Sequence, residues 1–214
     1  HIGLVLSDLR ALQARLKSIE SDLSGTCFAW SRNDNYISVT CPWGNAIRCY
    51  AGSPRYPGIS LGMPYIEFLV KPGTAKGIGR FYNQVIGARY TLDNDSNEVT
   101  LGVRVGRAQS IIFRETTDNI KPYDGHHIAI YIGNISSAHE FLNSRRLVTE
   151  ELTDHQFRFQ HIIDPDNGDK LMVLEHEVRN LYHPMYHREL VNRNASQDVD
   201  KYVPGPDRFT PTTY

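Results

Sequence analysis

Three stretches of the chain begin alike and continue alike. HIGLVL (1–6), YIEFLV (65–70) and HIAIYI (127–132) are short apolar runs whose first residues, His1, Tyr65 and His127, stand 64 and 62 positions apart. Each is followed by an amphipathic helical stretch and then by three further strand-like runs. Near-equal periods with the same element order mark duplicated supersecondary units. A unit of this kind cannot bury its apolar faces alone, so the copies must pack on a neighbour. The pattern predicts an α+β fold of tandem βαβββ modules.

In the first copy, Ser7 and Asp8 stand in N-cap position ahead of Leu9, Leu12, Leu16 and Ile19 at helical spacing, with Gly25 placed to end the helix. TCFAWSRND and YISVTCPWGNAIRCY read as strands, the latter broken by a turn at 42–45. In the second copy, Ile78, Phe81, Tyr82 and Val85 share a helix face, and three strands follow with a hairpin turn at 93–96. The third copy has a short helix (NISSAHEFLNSR), a marginal strand (LVTEE) and a closing pair, QFRFQHIID and KLMVLEHEVR, around a DPDNGD turn. The boundaries are 1–50 for module one, 51–62 for a Gly/Pro/Ser-rich linker, 63–117 for module two and 125–179 for module three. From 180 to 214 an irregular C-terminal arm, polar, aromatic and broken by prolines, carries tyrosines with His183 and His187, which favour docking over floating.

Composition narrows the function classes. A net charge of −1 gives no basic field for nucleic acid or an anionic membrane surface. No apolar run approaches the roughly 18 residues that span a bilayer. The first residues lack the features of a signal peptide, and His1 is not a translated start, so residues upstream are expected to be cut off or absent. Three cysteines, Cys27, Cys41 and Cys49, show no CxxC spacing and read as reduced thiols in a cytoplasmic protein. The sequon at Asn194 reads as chance in that setting. There is no HExxH, P-loop, GxGxxG or GxSxG.

The chemistry-bearing stretches are GHHIAIYI (125–132) and LMVLEHEVR (171–179). Adjacent strand residues face opposite ways, so His126 and His127 cannot both reach one site. Alternation puts Glu175 and Glu177 on one face and His176 on the other. If the two strands lie side by side, His127 and Glu175 point into the same space, a common way to begin a metal site.

The ordered recurrence of HIGLVLSDL, CPWGNAIRC, GRFYNQVIGAR, HHIAIYIGN and IIDPDNGD resembles the vicinal oxygen chelate superfamily, which includes glyoxalases, bleomycin-resistance proteins and extradiol dioxygenases. The resemblance covers residues 1 to about 179. It implies paired modules whose curled mixed sheets form a cup around a divalent metal, with ligands from the first residue of each opening strand and a Glu in each closing strand. The opening positions here are His1, Tyr65 and His127. The closing positions read Arg48 in module one, Arg114 or Glu115 in module two, and Glu175 in module three. The expected metal ligands are therefore His127, Glu175 and His1. An odd number of modules implies that one precedes His1, or that module one pairs across a homodimer.

The implied function is a metal-dependent enzyme acting on a small molecule with adjacent oxygens, dioxygenase-like or isomerase/lyase-like. Fe(II) is favoured and Zn, Ni or Mn are alternatives. His161 and Tyr65, with His155, are the candidate acid-base groups. Arg48 and Arg114 would hold a substrate carboxylate or phosphate. Phe113, Tyr131 and Trp43 would join Tyr65 as aromatic walls. The alternative is a metal-free sequestering protein of the bleomycin-resistance type. A structural module using its arm for assembly is a third reading.

Overall fold

The structure, a computed structural model, describes residues 1–95 and 98–187. The first copy comprises β1 (Ile2–Leu6), α1 (Leu9–Ser18), β2 (Ala29–Arg32), β3 (Ile37–Thr40) and β4 (Ala46–Ala51). The second comprises β5 (Gly62–Val70), α2 (Ala75–Phe81) running into a π-helical turn (Tyr82–Ile86), β6 (Tyr90–Asp95), β7 (Glu98–Arg104) and β8 (Ser110–Glu115). The third comprises β9 (His127–Ile132), α3 (Ile135–Ser144), β10 (Val148–Thr153), β11 (Gln156–Ile163) and β12 (Lys170–Asn180), followed by a 3₁₀ turn (Pro184–His187). The expected 93–96 turn falls partly outside the described residues, as does the arm beyond His187. No described helix is long and apolar enough to cross a membrane.

Two compact units result: His1–Asn83 with Ala88–Lys121, and Gln84–Gly87 with Pro122–Tyr214. In unit one, eight strands form one sheet in the order β2-β3-β4-β1-β5-β8-β7-β6. β1 runs parallel to β4, and β5 runs parallel to β8. The two halves join where β1 meets β5 antiparallel, with Ile2 opposite Ile66 and Gly3 opposite Tyr65. Modules one and two therefore pair within the chain. This corrects the expectation that module one would need a preceding module or a second subunit.

Strand alternation gives this sheet an apolar face for its helices. Under α1, Leu9, Leu12 and Leu16 pack with Leu4, Leu6, Ile37, Val39, Ile47 and Cys49. Asp8 caps the helix, accepting from the Arg10 and Ala11 amides at 2.8 and 2.9 Å. The helix stops at Ser18, earlier than expected, and Gly25 (φ 85°) lies in the loop beyond. Ile78, Phe81 and Tyr82 of the second helical segment are fully buried, as are Leu101, Val103 and Phe113 of the sheet. Phe113 belongs to this layer, with its ring 5.5 Å from Tyr82 and 5.9 Å from Phe68. It is a core residue rather than a wall of the site. Each such side chain contributes roughly 1.5–3 kcal/mol by leaving water.

Unit two is a four-stranded sheet, β10-β11-β12-β9, in which β9 is an edge strand parallel to β12. The β11–β12 hairpin turns through paired backbone bonds, Gly168 N to Asp164 O and Asp164 N to Asp169 O, each 2.8 Å. The first residues of the arm dock on this unit. Met185 is buried, the Tyr186 ring lies 5.3 Å from Tyr131, and a His183 Nε2–Gln156 Oε1 hydrogen bond spans 3.0 Å.

His176 is wholly buried, its ring stacked 4.4 Å from Phe159 and its Nδ1 donating to the Leu174 carbonyl at 2.7 Å. Burial lowers its pKa to about 4. An unfolded imidazole takes up a proton near pH ~6.5. Between those limits protonation favours the unfolded chain, so stability falls as pH is lowered from about 6.5 to about 4. The expected loss is on the order of 3 kcal/mol. Denaturant melts of the parent across this range should show the loss, and His176→Phe should flatten it.

Candidate functional site

The face of the unit-one sheet opposite the helices forms the cup. Its centre is the β1–β5 seam, where Gly3 lies opposite Tyr65 on one side and Arg48 on the other. A Cβ on Gly3 would stand 2.3 Å from the Tyr65 ring, so only glycine lets that ring lie across the seam. The Tyr65 hydroxyl is 2.8 Å from that of Tyr50 and 3.0 Å from His1 Nε2. Burial first, and the Tyr50 hydrogen bond second, hold the Tyr65 phenol far above its ordinary pKa, so it keeps its proton.

The 51–62 segment is more than a spacer. Tyr56 and Ile59 pack with Val5, Tyr50 and Tyr65. The Tyr56 ring lies 5.0 Å from Tyr50 and stacks at 6.4 Å on Tyr65. Burial pushes the Tyr56 phenol up to about 12. Between this segment and strands β5 to β8 lies a cavity of about 590 Å³ with Tyr56, Tyr65 and Ile112 in its walls.

Charges at the centre are already matched. Glu67 accepts from Arg114 Nε at 2.9 Å, and Arg114 Nη1 reaches Glu98 at 2.9 Å. His1 Nδ1 is 3.5 Å from the Glu67 carboxylate. Arg48 lies over the Tyr36 ring, 5.3 Å from its centre. The positions at which the resemblance implies metal ligands thus hold a histidine, a protonated phenol and two guanidinium groups. Glu115 accepts from the Ala75 amide at 2.8 Å and so serves the start of α2. This donor set does not fit a divalent cation, which needs several oxygen, nitrogen or sulfur donors free of competing cations.

Unit two presents a second polar face. His127 lies opposite Glu175, Ala129 opposite Glu177 and Tyr131 opposite Arg179. His127 is exposed. Glu175 accepts from Arg158 Nη1 at 2.9 Å and from Gln160 Nε2 at 3.2 Å. Glu177, 4% exposed, accepts from Arg158 at 2.8 Å and from Arg179 Nε at 2.6 Å. Arg179 also donates to the Tyr131 hydroxyl at 2.8 Å, so Tyr131 is a held partner rather than an open wall.

His161 is held below the ordinary imidazole pKa by burial and by Lys170, and its Nδ1 has no partner among the described residues. A hydrogen bond of 3.0 Å joins His155 Nδ1 to the Asn180 side-chain amide. The expected ligand set divides: His1 lies in unit one, His127 and Glu175 in unit two. Among the described residues, no group of three or more His, Cys, Asp or Glu side chains is placed to hold a metal. Neither unit by itself holds the expected trio of His127, Glu175 and His1. Trp43, expected as a wall, is 85% exposed on the turn before β4.

Sequence reasoning missed Gly3, Tyr50, Tyr56 and Glu67. Glu67 had a visible signal, because it is the lone acid within the three opening strands. Substituting Gly3→Ala should displace the Tyr65 ring and cost about 1–3 kcal/mol. The parent and variant melting curves check this, and near-UV circular dichroism should show loss of the ordered tyrosine signal.

No protein-family model matches the sequence, and no curated protein matches it. Solved structures do resemble it. Glyoxalase I from Zea mays matches with a TM-score of 0.53 at 12% identity, and a point mutant of the same maize enzyme with 0.54 at 13%. Each match covers 84% of this chain and 66% of the maize chain. The fosfomycin resistance protein FosX from Mesorhizobium loti matches over 55% of this chain and 90% of its own, at 16% identity and a TM-score of 0.39. At these identities the likeness is one of fold.

Proposed function

On the vicinal oxygen chelate fold that this chain adopts, we propose that unit one is a binding cup for a small organic molecule and works without a bound metal. One observation carries the reading: the central carboxylate, Glu67, is bound by the Arg114 guanidinium. A cation that would otherwise be recruited from solution is supplied by the protein. The remaining surface, the tyrosines with Ile112 around the cavity, suits an apolar or aromatic ligand body oriented by a few polar groups.

A second reading, for unit two, is favoured by the pairing of His127 with Glu175 on one face. Those two donors alone do not complete a metal site. The enzyme reading, dioxygenase-like or isomerase/lyase-like, therefore requires the same pair from a second copy of the chain in a homodimer.

Metal analysis after dialysis against Mn(II), Ni(II) or Zn(II) separates the two. The parent, His1→Ala and His127→Ala proteins should all emerge free of stoichiometric metal. Metal bound by the parent and missing specifically from His1→Ala overturns the metal-free reading of unit one. Metal at one ion per two chains, missing from His127→Ala, establishes the second reading.

A further inference from the structure

The cup carries a charge pattern that folding alone does not explain. Its cavity is lined by Arg55, Arg89, Arg104 and Arg107 and, among the described residues, by no aspartate or glutamate. The chain as a whole is balanced, with 23 basic and 24 acidic side chains, so an all-cationic wall is not a by-product of composition. None of the four guanidinium groups has a carboxylate partner among the described residues, where the acids of this unit's central face are taken up by Arg114.

All four guanidinium side chains are exposed to solvent. Arg89 and Arg104 stand opposite each other at the ends of adjoining strands, the Arg104 amide donating to the Arg89 carbonyl at 2.9 Å. Like charges facing across an antiparallel pair destabilise a sheet. Arg104 Nη2 donates to the Arg107 carbonyl at 2.9 Å, which ties the β7–β8 turn and its own guanidinium to this cluster. On the other flank, Arg55 lies 5.7 and 5.6 Å from the centres of the Tyr50 and Tyr56 rings. Planar guanidinium forks bind phosphate, phosphonate and carboxylate oxygens two at a time. A ligand carrying negative charge would meet guanidinium groups that no acid among the described residues occupies.

We propose that the cup takes a small organic anion. Its head is a phosphate, a phosphonate or paired carboxylates, gathered by Arg55, Arg89, Arg104 and Arg107. Its flat or apolar body rests on Tyr56 and Tyr65. The open cavity, about 590 Å³, has room for such a molecule. This names the ligand class for the binding cup proposed above and rests on that reading.

Calorimetric titration of the full chain with phenyl phosphate, inorganic phosphate and phenol tests it. Phenyl phosphate should bind at least about tenfold more tightly than phenol, and added salt should weaken it. Arg89→Gln/Arg104→Gln should weaken phenyl phosphate about 100-fold and leave phenol unchanged, at roughly tenfold for each charge-assisted hydrogen bond removed. The double variant should melt no lower than the parent, because it removes a like-charge pair. Arg107→Gln, on the β7–β8 turn, should show about a tenfold loss independently. Equal binding of phenol and phenyl phosphate, indifferent to the arginine substitutions, overturns the anion assignment and leaves the cup as a neutral binder. Inorganic phosphate binding as tightly as phenyl phosphate, and abolished with the arginines, keeps the anion site and overturns the organic-ligand reading. Binding of none of the three overturns both.

Discussion

The antiparallel seam between β1 and β5 is the contact on which unit one depends. It turns two four-stranded modules into one continuous sheet and places the opening residues of both at its middle. Glu67 N donates to the His1 carbonyl across it, and Tyr65 crosses over Gly3. That crossing brings Tyr65 to the hydroxyl of Tyr50 on β4. A wider residue at position 3 would push the ring away and separate the two halves of the polar centre. Duplication supplied equivalent positions, but their contents have diverged: His1 corresponds to Tyr65, and Gly3 to Glu67.

Both units meet the same electrostatic problem in the same way. A carboxylate withdrawn from water must be paired or it loses its charge. In unit one Arg114 pairs with Glu67, and in unit two Arg158 and Arg179 pair with Glu175 and Glu177. Each pairing is between a strand carboxylate and a guanidinium on the same face. In both units a permanent positive charge on arginine satisfies these acids. The four arginines of the cavity differ from these in having no acid partner among the described residues.

The order of elements was legible because it rests on local signals: alternation, the Asp8 cap, the glycines of the turns and the near-equal spacing of the copies. The pairing of modules was not, since a seam between strands more than sixty residues apart leaves no local mark and depends on register. Parity explains the misplacement of Phe113. It sits one residue from Arg114, and a shift of one residue exchanges the cup face for the core face. Gly25 misled for another reason, because α1 loses its apolar register after Leu16 and ends before the glycine is reached. The arginine cluster was invisible in the sequence, for its members come from a linker, two strand ends and a turn. Only the fold brings positions 55, 89, 104 and 107 to one cavity.

The place of β9 at the margin of the four-stranded sheet has a consequence for how the chain behaves in concentrated solution. Among the described residues its outer backbone groups have no ladder partner, and its sequence, HIAIYI, carries no proline and no permanent charge. A margin of that composition is adhesive toward any other extended chain. In β1 and β5 the same margin is sealed by their mutual contact. Among the described residues the third copy thus keeps open a margin of the kind that the first two close against each other.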